Sequence, residues 1–124
     1  MRLTENFSRQ EFDCKDGTPV PPQFMDNVRR LAQQLQILRN EIKEPVMITG
    51  SGYRTPEHNA KIGGKPNSSH LKGLAVDISV TDSRQRFIVL QSLIQAGFNR
   101  IGVAKTFIHV DDDKDKDAEV VWLY

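Results

Sequence analysis

The chain has 124 residues, 38% of them hydrophobic and 27% charged, a balance that suits one ordinary globular domain with a modest core. Its 17 basic and 16 acidic side chains leave a formal net charge of +1, so there is no electrostatic case for nucleic acid or an anionic membrane as partner. Cys14 is the single cysteine, which excludes an intrachain disulfide and a cysteine-based metal cluster.

No apolar run approaches the length of a membrane-spanning helix, and Met1–Ser8 carries no hydrophobic segment of the signal-peptide kind. Residues 1–21 read as a polar, turn-rich arm with two apolar anchors, Phe7 and Phe12. Ser8 and Glu11 have the spacing of a capping box for a short helical turn. Cys14, flanked by Asp13 and Asp16, reads as a small buried apolar residue, because acidic neighbours disfavour a thiolate.

Phe24, Val28, Leu31, Leu35, Leu38 and Ile42 recur at steps of four and three, which predicts one helix from about Pro22 to Ile42 with a single apolar stripe. Pro45 blocks its continuation. Val46–Thr49 is a candidate strand, broken at Gly50. Residues 55–69 are rich in Pro, Gly, Asn and Ser and predict an exposed loop, with one helical turn over Glu57–Ile62. Leu74–Val80 is a second candidate strand. Asp82 or Ser83 can cap a second helix that buries Phe87, Leu90, Leu93 and Ile94 and stops at Gly97. Arg100–Val103 and Phe107–Asp111 read as paired strands, Asp111–Asp117 as a charged turn, and Val120–Leu123 as a last strand. The pattern predicts an α+β fold, a small antiparallel sheet flanked by helices, in one domain over residues 1–124.

Two strand positions carry the chemistry. Asp77 falls at the centre of 74–80, where a carboxylate is normally excluded. It shares a face with Ala75 and Ser79, whereas Leu74, Val76, Ile78 and Val80 take the other. His109 repeats the oddity: alternation puts it with Asp111 on one face, and Ile108 and Val110 on the other. His70 leads into the strand of Asp77. Taken singly, a histidine in a strand is more often a satisfied core residue, and Asp77 reads equally as a buried strand carboxylate. Together, two imidazoles and a carboxylate make a three-ligand set for catalytic zinc with a fourth position left for water, although other divalent ions accept the same donors.

Ser68-Ser69-His70-Leu71-Lys72-Gly73-Leu74-Ala75-Val76-Asp77 resembles the S-x-H-x-x-G-x-A-x-D signature of the zinc D-Ala-D-Ala carboxypeptidase family. That group includes D,D-dipeptidases, L-alanyl-D-glutamate endolysins and the hedgehog signalling-domain fold. Ser51-Gly52-Tyr53-Arg54 resembles its S-G-Y-R segment, Phe107–Asp111 the third-ligand strand of its short, single-domain branch, and Phe7–Phe12 an N-terminal stretch of that branch. The resemblance implies a hedgehog-like zinc fold. It implies one Zn²⁺ on His70, Asp77 and His109, and substrate contacts from Arg54 and Ser68. It further implies hydrolysis of a peptidoglycan stem peptide at the bacterial cell wall or periplasm, by a chain expected to act as a monomer without membrane insertion. Many members carry Glu or Asp three residues before the third ligand as general base. Thr106 stands there in this chain and cannot act so. Asp111 is then the substitute base, a partner that orients an imidazole N–H, or simply the first of three solvated aspartates, Asp111 to Asp113, with His58 and Glu57 as further candidates for the base should the 55–69 loop cover the metal.

Overall fold

A computed structural model describes residues 1–42, 45–48 and 51–124. The order is a 3-10 turn (Arg9–Phe12), a second (Pro22–Phe24), α1 (Met25–Ile42), α2 (Pro56–Lys61), a third 3-10 turn (Ser69–Lys72), β1 (Ala75–Ser79), α3 (Ser83–Gln95), β2 (Arg100–Val103), β3 (Phe107–Asp111) and β4 (Val120–Leu123). The fold is α+β. The strands lie in the order β1-β3-β2-β4. β3 is antiparallel to both neighbours, but β4 runs parallel to β2. The sheet is therefore mixed, not antiparallel throughout. The long excursion through the 111–119 segment returns the chain to the start of β2, and that reversal sets the direction of β4.

α1 forms where its apolar stripe predicts. Val28, Leu31, Ala32, Leu35 and Leu38 are buried, and Phe24 and Ile42 pack against the same cluster. The first turn of the predicted span, Pro22–Phe24, is 3-10, with Pro21 as its N-cap and Pro22 opening it. Each of the fully buried leucines contributes about 1.5–3 kcal/mol relative to exposure. α3 packs against α1, capped by the Asp82 carboxylate, which accepts from Gln85 N–H at 2.8 Å, and closed by Gly97 at φ +96°. Its buried side is Val89, Ser92 and Leu93, whereas Phe87 and Ile94 are 62% and 55% exposed. The sequence offers two apolar stripes on this helix. Val89 and Leu93, one turn apart, are the pair turned inward, leaving the seven-residue pair Phe87 and Ile94 outside.

The sheet divides its faces as alternation requires. Val76, Ile78, Ile101, Ile108 and Val110 are each at most 1% exposed and form the core side with the helices. Ala75, Asp77, His109 and Asp111 occupy the other side. The register sets Ala75 opposite Asp111 and Asp77 opposite His109. The strand expected at residues 46–49 is not a ladder member over 46–48, and Thr49 and Gly50 lie outside the described residues. That stretch instead runs beside β1, accepting from Ser79 N–H at Met47 O (2.9 Å).

The N-terminal arm is an integral part of the core. Phe7, Phe12, Cys14 and Val20 are at most 5% exposed. Glu11 reaches back to the Ser8 N–H at 2.8 Å, the capping-box contact that the spacing predicts. Gly52 abuts this arm: a Cβ there would stand 2.8 Å from the Phe12 backbone. Close approach of two backbones, fixed by Tyr53 N–H donating to Phe12 O at 2.7 Å, is the reason for glycine in that place.

Candidate metal centre

Each of the three expected ligands is delivered by a separate element. His70 sits in the 3-10 turn Ser69–Lys72, whose N-cap is Ser68; the Ser68 hydroxyl accepts from His70 N–H at 3.2 Å. Gly73 ends that turn at φ +68°, the left-handed region that a side chain resists, and feeds directly into β1. Asp77 and His109 then meet as a cross-strand pair of β1 and β3. Ala75, 1% exposed and opposite Asp111, leaves the space that the Asp111 carboxylate fills.

The donor atoms converge. His109 Nδ1 is 3.0 Å from Asp77 Oδ1, and His70 Nε2 is 3.3 Å from the same oxygen. Among the described residues, His70, Asp77 and His109 form one of two groups with ligand atoms all within 4.8 Å of one another. The opposite nitrogen of each ring is committed. His70 Nδ1 contacts Gly52 O at 2.7 Å, and a carbonyl can only accept, so Nδ1 carries the proton and Nε2 is left to donate its lone pair. His109 Nε2 contacts Asp111 Oδ2 at 2.9 Å, which likewise leaves Nδ1 for a ligand. One carboxylate oxygen therefore faces two imidazole nitrogens. A single proton can bridge only one of those contacts; a divalent cation satisfies both. The donor set, and the carbonyl and carboxylate behind it, fit zinc.

The shifts at Asp77 and His70 agree with that fit. Burial would raise the Asp77 carboxyl, but the imidazoles of His109 and His70 beside it outweigh burial and hold the group well below the usual carboxylate range. Burial pushes His70 down, towards the neutral form that ligates. Burial also opposes charge on His109, yet Asp111 and Asp77 on either side pull it up. Two carboxylates flanking one ring make a site that attracts positive charge.

The centre opens into a cleft of about 750 Å³. Arg54 lines it with Ser68, both among the expected site residues. The Arg54 guanidinium donates to Ser51 Oγ (2.9 Å) and Asn59 Oδ1 (3.1 Å) and lies 3.7 Å from Asp77 Oδ2. Asp111 is 2% exposed and has both oxygens engaged: Oδ2 by His109, and Oδ1 by Arg100 Nε (2.7 Å) and Asp113 N–H (3.2 Å). Thr106, Glu57 and His58 do not line the cleft. His58 gathers instead with Cys14 and Asp16.

Four neighbours of the site carry no signal in the chemical reading. Arg100 clamps Asp111. Trp122 lies against His109, ring centroids 5.5 Å apart, with the Arg100 guanidinium 5.2 Å over its face. Asn59 holds Arg54. Asp113, expected in a solvated charged turn, is 2% exposed and accepts from Ser69 Oγ (2.7 Å) and Lys72 Nζ (3.0 Å). The alternation that joins His109 to Asp111 extends to Asp113 and is the one cue that could have separated it from its solvated neighbours.

A family model described as peptidase M15 matches residues 3–111. The chain belongs to the peptidase M15 family. The match runs from the N-terminal arm to the last residue of β3 and thus includes all three converging ligands. Peptidase M15 members are zinc-dependent metallopeptidases, in accord with the donor set described above. No curated protein matches the chain.

Proposed function

We propose that this chain is a zinc peptidase of the bacterial cell wall that hydrolyses peptidoglycan stem peptides, as a D-Ala-D-Ala carboxypeptidase or a related endopeptidase. The observation that carries the reading is the shared Asp77 oxygen, 3.0 Å from His109 Nδ1 and 3.3 Å from His70 Nε2, with each ring's far nitrogen already fixed. In this reading His70, Asp77 and His109 would hold one Zn²⁺, which would supply Lewis acidity and lower the pKa of a water towards about 7. Arg54 presents a planar donor fork to a substrate carboxylate or carbonyl. It is pre-aimed by Ser51 and Asn59, so little side-chain entropy is lost on binding. Ser68 hydrogen-bonds substrate at the cleft wall beside the metal. Asp111 orients His109 by accepting its Nε2–H, and Arg100 fixes Asp111 in turn. The chain acts as a monomer on this peptide substrate.

Mass spectrometry of purified muropeptides after incubation tests this. The zinc-loaded protein is expected to release D-Ala or split a stem peptide. A chelator is expected to abolish cleavage, and His70→Ala is expected to empty the His70–Asp77–His109 site and abolish cleavage with it. Cleavage that persists in a His70→Ala protein lacking the ion of this site refutes the proposal.

A second reading, a zinc-containing module that binds cell-wall peptide without cutting it, is favoured by one observation. Among the described residues, the carboxylate side chains lining the cleft are Asp77 and Asp111, one a ligand candidate and the other engaged through both oxygens. Stoichiometric muropeptide binding without product over prolonged incubation would select it.

A further inference from the structure

The second group of converging donors lies outside the cleft. Cys14, Asp16 and His58 bring a thiol, a carboxylate and an imidazole within 4.8 Å of one another. They come from opposite ends of a long loop closure: Cys14 and Asp16 from the N-terminal arm, His58 from α2. One buried side chain organises all three. Thr55, 9% exposed, donates from Oγ1 to Asp16 Oδ2 at 2.9 Å, and the same oxygen accepts from His58 N–H at 3.1 Å. That oxygen also stands 4.0 Å from Cys14 Sγ. The arm is folded to match. A turn from Cys14 to Gly17 is closed by Gly17 N–H donating to Cys14 O at 3.0 Å, and Thr18 N–H donates to Asp16 Oδ1 at 2.8 Å.

We propose that Cys14, Asp16 and His58 form a second metal site, for a borderline-soft divalent cation such as Zn²⁺ or Co²⁺, that ties the N-terminal arm to α2. One thiolate, one imidazole and one carboxylate match the donor preferences of these ions, and three protein ligands leave a place for water. Bond lengths of about 2.0–2.3 Å put tetrahedral donors about 3.3–3.6 Å apart. Rotation of the half-buried His58 ring and the exposed Asp16 side chain supplies the contraction from the observed spacing. On binding, the Cys14 thiol releases its proton to solvent and the sulfur bonds the metal. Thr55 is the supporting contact behind the ligands. The consequence reaches the cleft through α2, because Asn59 on that helix accepts from Arg54 at 3.1 Å. The ion would pin the helix that steadies the substrate-facing arginine.

The proposal is independent of the His70–Asp77–His109 reading and can be tested separately. Reduced, metal-free protein is titrated with Co²⁺ alone, followed by equilibrium dialysis with elemental analysis and by absorbance. Two equivalents are expected, one of them giving the near-ultraviolet charge-transfer band of a cobalt thiolate. His58→Gln and Asp16→Asn, both at positions that are not fully buried, should each weaken the band-forming equivalent at least tenfold. Cys14→Ser should abolish the band, and circular dichroism establishes that each variant is folded. His70→Ala should lose the other equivalent and keep the band. One equivalent without a thiolate band in the folded wild-type protein overturns the proposal. So does a band whose affinity is unchanged in both His58→Gln and Asp16→Asn.

Discussion

The Asp111 carboxylate offers the sharpest test of how the metal centre works. It is 2% exposed and accepts from His109 Nε2, Arg100 Nε and Asp113 N–H at 2.9, 2.7 and 3.2 Å. If its task is to orient His109, Asp111→Asn should loosen the metal and leave the chemical step largely intact. Loss of such an orienting group costs about 10–100-fold in metal affinity, or about 1.4–2.7 kcal/mol. The Arg100 side chain is only 12% exposed and would lose its anionic partner. Breaking a buried pair on one side costs about 3–5 kcal/mol; stacking of Arg100 on Trp122 argues for the lower end. Zinc affinity is measured by competition with a chromophoric chelator, stability by urea denaturation, and hydrolysis at saturating zinc. An orienting Asp111 predicts raised zinc Kd and activity within about tenfold once the site is filled. A general base predicts the converse, unchanged Kd and a loss of about 10²–10⁴ in rate. That converse result refutes the orienting role.

Other perturbations probe separate links. Leu35→Ala removes a side chain with no exposure from the α1 stripe and should cost about 2–5 kcal/mol in denaturant melts, with zinc stoichiometry retained. Gly52→Ala places a Cβ 2.8 Å from the Phe12 backbone, a contact that a rotamer change cannot relieve. About 1–3 kcal/mol should be lost, and zinc binding should weaken, because the Gly52 carbonyl that fixes the His70 tautomer must move. Asp113 lies in a buried network in which the Ser69 hydroxyl and Lys72 ammonium outweigh burial and lower its pKa. A lowered carboxyl stabilises the fold above its unfolded pKa of about 3.9 and loses that contribution as pH falls through the folded value. Asp113→Asn should therefore cost about 1.5–3 kcal/mol at neutral pH, and its stability should fall less steeply than wild type below about pH 4 in pH-dependent melts.

What could be read in advance follows from what periodicity encodes. A stripe such as Val28, Leu31, Leu35 and Leu38 specifies both a helix and its buried face. Alternation at Asp77 and His109 specifies which side of the sheet is polar. Neither encodes strand direction, so the parallel pairing of β4 with β2 had no signature. α3 carries apolar residues on more than one side, and only packing against α1 selects Val89 and Leu93 over Phe87 and Ile94. Identical residue types also hide different environments: Asp113 is buried and Asp115 is not, within one acidic run. The partner of His70 was illegible for another reason. It is a backbone carbonyl, and any residue at position 52 would have offered one.

That carbonyl links the far end of the chain to the metal chemistry. Phe12 is 1% exposed in the core, and its carbonyl takes the Tyr53 N–H at 2.7 Å. The 52–53 peptide is thereby held in place, and Gly52 O meets His70 Nδ1 at 2.7 Å. Because a carbonyl can only accept, this contact forces the proton onto Nδ1 and aims the Nε2 lone pair at Asp77. On the other side, Arg100 holds Asp111, and Asp111 holds the proton on His109 Nε2. Both candidate ligating nitrogens thus owe their availability to groups outside the proposed ligand set, one anchored by the arm and one by β2. A ligand triad transplanted onto a sheet without these two supports would keep its residues but lose control of its tautomers. The arm, which looked peripheral in a polar, turn-rich sequence, is therefore part of what holds the candidate metal centre in place.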